Sequence, residues 1–127
     1  FSKIGLIPDA GGTWILPRLV GYARAMALML LGEPVSAADA VDMGMIWKAV
    51  PDQTFDTYIS ELAHQLAQQP TYALSLIKQS LQQSAEHSFH QQLDLEKNLQ
   101  FLAQNSHDYK EGVQAFIEKR SPHFVGR

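Results

Sequence analysis

The sequence contains no cysteine, no long hydrophobic run and no block of basic residues. The absence of cysteine excludes disulfides and thiolate chemistry, and it fits a reducing cytoplasm, which is the expected location. The longest apolar run, residues 25–31, is far shorter than the roughly 20 residues that a membrane-spanning helix requires. We therefore expect no membrane association. The net charge of −3 comes from scattered acidic and basic residues, so nucleic acid is not an expected partner.

Hydrophobic residues make up 46% of the 127 residues, which is enough for a core and too many for a disordered chain. In the second half, apolar residues recur every three or four positions, and this spacing predicts a series of helices. The apolar stripes begin at Phe55, Leu74, Phe89 and Tyr109. Pro70 is expected to end the first of these helices, and the second is expected to begin at Thr71.

Helix signals also occur in the first half of the chain. Residues 22–31 are predicted to form a helix, and Gly32 is its expected left-handed end. Ser36 and Asp39 resemble a capping box at the start of the next helix, with aspartate in place of the usual glutamate.

Short extended segments are predicted at residues 1–7 and 45–50, because each is apolar and is followed by a Pro-Asp turn. Between them, a helix capped by Asp9 is expected to begin near Ala10 and to end at Pro17, whose ring clashes with the preceding turn. The predicted fold class is therefore mainly α with two or three short strands, which are too few to form a stable sheet alone.

Several motifs stand in one register along the chain. They are Ile-Gly-Leu-Ile-Pro-Asp-Ala-Gly-Gly-Thr at 4–13, Leu-Pro-Arg at 16–18, Gly-Glu-Pro-Val-Ser-Ala-Ala-Asp-Ala at 32–40, Glu-Gly-Val-Gln-Ala-Phe at 111–116 and Lys-Arg-Ser-Pro at 119–122. In this order they resemble the crotonase superfamily of enoyl-CoA hydratases and isomerases. Within it, Phe-Ser-Lys-Ile-Gly-Leu at 1–6 and Gly-Met-Ile-Trp at 44–47 are most similar to the isomerases of ring-1,2-epoxyphenylacetyl-CoA in bacterial phenylacetate degradation.

The resemblance implies an organisation for the chain. Residues 1–50 would be the end of the ββα spiral core, and residues 51–127 would be a helical region for oligomerisation and CoA binding. The N-terminal half of the spiral, with the two loops of the oxyanion hole, would precede Phe1, so the chain alone is expected to be inactive. The implied substrate is an acyl-CoA thioester, with no metal or other cofactor, and the implied assembly is a homotrimer or a dimer of trimers.

The resemblance also assigns the chemistry to one carboxylate. Members of the family polarise the thioester carbonyl with backbone amides and move a proton with a carboxylate. The second glutamate of the hydratases falls on Phe1, which cannot carry a proton. Asp9 stands where some isomerases of the family place their acting aspartate, and we expect it to be catalytic. Phe1, Pro8, Gly11 and Trp14 are the expected pocket residues, and apolar neighbours are expected to bury the Asp9 carboxylate.

Each of these residues also has a simpler role. Asp9 could be a helix cap, since Pro-Asp-x-Gly is a common cap and turn, and Trp14 could be a core residue. Phe116 and Lys119 match positions at which relatives contact the adenine and phosphate end of CoA, often on a neighbouring subunit. Their alternatives are a core phenylalanine and a solvated lysine favoured by the helix dipole.

The leading functional hypothesis is an acyl-CoA isomerase that rearranges a ring epoxide or shifts a double bond. The alternatives are an enoyl-CoA hydratase, another crotonase activity such as dienoyl isomerisation or dehalogenation, and a non-catalytic helical association fragment. His87 and His90 are three residues apart, but no third ligand stands at helical spacing, so we expect surface histidines and no metal.

Overall fold

The computed structural model describes residues 1–127, which form two compact units, Phe1–Thr54 and Phe55–Arg127. The chain is helical, so the predicted mainly α fold is confirmed. The helices are α1 (Gly12–Val20), α2 (Tyr22–Leu31), α3 (Ala37–Asp42), α4 (Asp52–Ala67), α5 (Thr71–Ser84), α6 (Phe89–Gln104) and α7 (His107–Glu118). No helix combines the length and the apolar character that crossing a membrane requires.

The two predicted strands do not form. Residues 1–7 contain a short 3-10 helix, Ser2–Ile4, closed by hydrogen bonds from the Ile4 and Leu6 amides to the Phe1 carbonyl. In residues 45–50, the Met45 and Ile46 amides instead donate to the Ala40 carbonyl of α3. A strand needs a neighbouring strand to satisfy its backbone groups, and this chain provides none. Both segments therefore satisfy these amides locally.

The first unit packs α1 against α2 around the buried side chains of Val20 and Ala25. Helix α1 begins later than predicted, because Gly11 adopts a left-handed conformation (φ 83°) and takes the N-cap position without a side-chain cap. The same helix runs through Pro17 to Val20, so the prediction that Pro17 ends it is wrong. Proline removes only one hydrogen bond of the helix, and the Pro17 carbonyl still accepts a bond from Gly21.

The capping signals around α2 and α3 are largely as predicted. Gly32 ends α2 in a left-handed conformation (φ 61°), and the Ser36 hydroxyl accepts a hydrogen bond from the Asp39 amide at 3.1 Å. The Asp39 carboxylate accepts from the Ser36 hydroxyl rather than from its backbone amide. Aspartate is one methylene shorter than glutamate, which accounts for a capping box that is only half formed.

In the second unit, α5 packs on α6, and α6 contacts α7. Leu76, Leu99 and Ala115 form the buried core. Helix α5 begins at Thr71 as predicted, and α6 begins with a full capping box between Ser88 and Gln91. After α7, residues 121–127 have no regular secondary structure.

Candidate functional site

A pocket of about 510 Å³ lies in the first unit, and Asp9 is on its wall. Phe1 and Pro8 also line it, together with side chains of α1 and α2 that include Ile15, Leu16 and Leu28. The predicted residues Phe1, Pro8 and Asp9 thus share one surface. The walls are mostly apolar, which suits an apolar ligand group.

The Asp9 side chain is exposed and makes no hydrogen bond within the chain. It does not cap α1, because Gly11 occupies the N-cap position; only the Asp9 carbonyl participates, accepting from the Gly12 amide at 2.9 Å. The expected capping role is therefore wrong. The expected burial is not present in this chain either, because Phe1, Ile7 and Trp14 are themselves exposed. Both carboxylate oxygens remain available to a ligand in the pocket.

Gly11 and Trp14, which were also predicted to line the pocket, are not among its wall residues. Trp14 is 44% exposed, so this chain by itself does not bury it. The Arg18 guanidinium lies 3.7 Å from the centre of the Trp14 ring and donates to the Trp14 carbonyl at 2.8 Å. This cation–π contact fixes the indole on α1.

A second pocket, of about 420 Å³, lies in the second unit and contains Phe116. Its other wall residues include Tyr109, Gly112, Val113 and Phe124. Phe116 is 85% exposed, so it is not part of the buried core of this unit. Lys119 ends α7 in a left-handed conformation (φ 55°) and is also exposed, but it is not part of the pocket wall.

Two carboxylates attach the end of the chain to α7. Asp108 is 2% exposed and accepts hydrogen bonds from the Val125 and Gly126 amides. Burial by itself raises the pKa of this carboxyl, but the two amides and His107 outweigh it, so the pKa is lowered overall. Asp108 is therefore an ionised acceptor at neutral pH.

Glu111 makes the second attachment. Its oxygens accept from the Arg120 guanidinium at 2.6 and 2.9 Å and from the His123 amide at 2.7 Å. The Arg120 hydrogen bonds, followed by that of the His123 amide, lower the pKa of Glu111 to about 2. The same ion pair raises the pKa of Arg120.

The histidines show no shared metal geometry. His87 Nδ1 lies 3.1 Å from the Gln92 side-chain oxygen, while the His90 ring packs edge-on against Phe89. No three His, Asp or Glu side chains come together in a group that could hold a metal ion.

Two carboxylates in these pockets were not found by sequence reasoning. Glu33 lines the first pocket with Asp9. The sequence feature that could have indicated this is the position of Glu33 directly after Gly32, which ends α2. Asp108 lines the second pocket. In the sequence it is an ordinary acidic residue in the first turn of a helix, so only the contacts with the distant Val125 and Gly126 reveal its role.

Comparison with known proteins gives one consistent result. The sequence profile of the enoyl-CoA hydratase/isomerase family matches residues 1–127. Over 127 residues, the chain is 54% identical to 1,2-epoxyphenylacetyl-CoA isomerase of Escherichia coli and 48% identical to a probable enoyl-CoA hydratase of Rhodobacter capsulatus. These alignments cover 100% of this chain and, respectively, 48% and 49% of those proteins.

Solved structures agree with this result. An enoyl-CoA hydratase from Geobacillus kaustophilus matches with a TM-score of 0.95 and 34% identity, over 98% of this chain and 47% of that chain. A hydratase/isomerase from Mycobacterium abscessus matches with a TM-score of 0.94 and 35% identity, over 100% of this chain and 49% of that one. The chain therefore spans about half the length of the relatives it matches.

Proposed function

Because the chain belongs to the enoyl-CoA hydratase/isomerase family, we propose that it is part of an acyl-CoA isomerase that acts on ring-1,2-epoxyphenylacetyl-CoA. The observation that carries this proposal is the position of Asp9, a carboxylate without an internal partner on the wall of an apolar pocket. The relative at 54% identity, named as an isomerase of this thioester, supports the choice of substrate.

In the proposed mechanism, Asp9 acts as the proton carrier. Its carboxylate removes a proton from a carbon of the acyl group and returns it elsewhere as the ring epoxide opens and rearranges. An enoyl thioester would undergo a double-bond shift by the same two transfers. Phe1, Pro8 and Leu16 would hold the acyl group against Asp9. Proton transfer of this kind requires no metal or redox cofactor.

Stabilisation of the thioester enolate requires two further features. Backbone amides must donate to the thioester oxygen, and the family resemblance assigns them to a part of the protein outside this chain. Water must also be excluded, because a solvated carboxylate is a weaker base toward carbon. We propose that the complete protein covers the pocket around Asp9.

The test of this mechanism is Asp9→Asn in the full-length protein. We expect kcat to fall by at least about 100-fold, the scale of general acid–base catalysis, while the side-chain volume is almost unchanged. Asp42→Asn is the matched control, since Asp42 is an exposed carboxylate of the same unit that does not line the pocket. Near-normal turnover by Asp9→Asn would exclude Asp9 from the mechanism.

Hydration of an enoyl thioester is the second candidate. Glu33 gives the pocket a second carboxylate, and hydratases of this family use two. The relative at 48% identity is named a probable enoyl-CoA hydratase. Mass spectrometry of the product distinguishes the two reactions, because isomerisation preserves the mass of the substrate and hydration adds one water. A requirement for Glu33 together with a hydrated product would favour this candidate over isomerisation.

We also propose that the protein assembles as a homotrimer or a dimer of trimers. Helix α4 has no buried residue, and its apolar side chains Phe55, Ile59 and Leu66 are exposed, as are Leu93 and Leu102 of α6. Exposed apolar faces of this kind are typical of association surfaces. Light scattering on the full-length protein measures the assembly; a monomer at micromolar concentration would exclude it. Assembly without any turnover of acyl-CoA would favour the non-catalytic alternative.

A further inference from the structure

Residues 121–127 are attached to α7 through a buried carboxylate. The two oxygens of Asp108 accept from the Val125 and Gly126 amides at 2.8 and 2.7 Å, across 17 and 18 positions of sequence. The Asp108 amide donates to the Arg127 carbonyl at 3.0 Å. A carboxylate that accepts two amides in parallel fixes both the distance and the orientation of the segment.

This attachment places the side chain of Phe124, the residue directly before the two bound amides. The Phe124 ring lies against Gly112 of α7, 3.6 Å from the position that a Cβ atom at Gly112 would occupy. Phe124 thereby forms part of the pocket of about 420 Å³ that also contains Phe116. Glu111 holds the His123 amide on one side of Phe124, and Asp108 holds the two amides on the other side, so loss of the Asp108 hydrogen bonds would release this part of the wall on its C-terminal side.

We propose that Asp108 is a positioning residue for the CoA end of the substrate, because it holds Phe124 where Phe124 and Phe116 together form an apolar pocket for the nucleotide ring. The inference rests on the proposed function, which makes a CoA thioester the substrate, and on the family resemblance, which assigns Phe116 to the adenine and phosphate end of CoA. Aromatic side chains bind planar rings through stacked or edge-on contacts. The pocket volume lies within the range of small-molecule sites. Asp108 itself does not need to touch the ligand.

The test compares four variants of the full-length protein, of which Phe116→Ala is described last. Asp108→Asn replaces one acceptor oxygen by a donor group, so that one of the two bound amides faces another donor. Phe124→Ala removes the aromatic ring from the pocket wall and leaves the hydrogen bonds from the Val125 and Gly126 amides to Asp108 in place. Asp94→Asn is the matched control, since Asp94 is an exposed carboxylate of α6 outside the pocket. The readouts are the Kd of free CoA by calorimetry, KM and kcat for the thioester, and amide exchange at Val125 and Gly126.

For Asp108→Asn we expect loss of exchange protection at Val125 and Gly126, and a rise of at least about fivefold in both Kd and KM, the scale of removing one aromatic contact. The value of kcat at saturation should stay within about twofold. Phe124→Ala should give the same rise with the amides still protected. If Asp108→Asn does not fold, Phe124→Ala decides alone.

Unchanged CoA affinity in folded Asp108→Asn and Phe124→Ala would overturn the inference. Phe116→Ala separates this failure from failure of the proposed function. If Phe116→Ala weakens CoA binding while Asp108→Asn and Phe124→Ala do not, the proposal of a CoA site at Phe116 is supported and only the positioning role of Asp108 is refuted. If the unaltered protein binds no CoA, the CoA site and this inference fail together.

Discussion

Gly126 is the position at which the attachment of the C-terminal segment leaves least room for a side chain. It has φ +79°, and a Cβ atom built there would lie 2.6 Å from Thr71 Oγ1 at the start of α5. Gly126→Ala therefore adds two costs. The left-handed conformation costs a non-glycine residue about 1–2 kcal/mol. The overlap with Thr71 forces either that side chain or the segment to move.

The second cost depends on which group moves. Turning the Thr71 side chain away from its rotamer costs roughly 0.5–1.5 kcal/mol. Shifting the segment would stretch the 2.7 Å bond from the Gly126 amide to Asp108, and a hydrogen bond to a charged group contributes about 1.5–3 kcal/mol. The cheaper movement sets the cost, so we expect a total destabilisation of about 1.5–3.5 kcal/mol from strain and side-chain rotation together.

A double-mutant cycle separates the two costs. Thr71→Ala removes the hydroxyl, so Gly126→Ala in that background should retain only the conformational strain of about 1–2 kcal/mol. Urea unfolding of the four proteins gives the free energies, and amide exchange at Gly126 reports detachment of the segment alone. The coupling energy should be at least about 0.5 kcal/mol. Equal costs of Gly126→Ala in the two backgrounds would show that the contact with Thr71 does not exist, and would refute the geometric reasoning.

Two further predictions concern the same region. The pKa values of Asp108 and Glu111 are lowered in the fold, so their contribution to stability is present above the ordinary values of 3.8 and 4.5 and is lost as the pH falls, for Glu111 toward about 2. Below pH 4.5, Tm should therefore fall less steeply with falling pH in Glu111→Gln than in the unaltered protein. Parallel curves of Tm against pH for the two proteins would contradict the lowered pKa of Glu111. Lys119→Gly should stabilise the end of α7 by about 0.5 kcal/mol, because relief of left-handed strain exceeds the added freedom of the unfolded chain. The same variant should raise KM for the thioester if Lys119 binds a phosphate group, and an unchanged KM would remove Lys119 from the CoA site.

The helix ends show which parts of the fold the sequence could predict. Gly32 and Thr71 mark helix ends at the predicted positions, because their effects act within one turn of the backbone. The prediction that Pro17 ends α1 was wrong because it considered only the local backbone. The hydrogen bond that proline removes costs stability, but less than the packing of α1 against α2 contributes. The short strands at 1–7 and 45–50 failed because strand formation depends on partners that local sequence does not reveal.

For the candidate site, sequence reasoning identified Asp9, Phe1 and Pro8, and the structure places all three on one pocket wall. These residues lie close together in sequence, so a turn motif is enough to bring them together. The position of Trp14 beside Arg18 rather than in the pocket depends on the rotation of α1, which the sequence left open. The catalytic role of Asp9 and the CoA roles of Phe116 and Lys119 stay predictions.

The sequence by itself determined the helical character of the chain and, through motifs in one register, its family. Both are properties of local spacing and residue order. Only the tertiary structure decided that Asp108 is buried, that Phe116 is exposed beside Phe124, and that Gly126 has no room for a side chain. The physical reason is that burial and hydrogen bonding between residues 17 or 18 positions apart depend on how the chain folds back on itself, and no local pattern encodes that return.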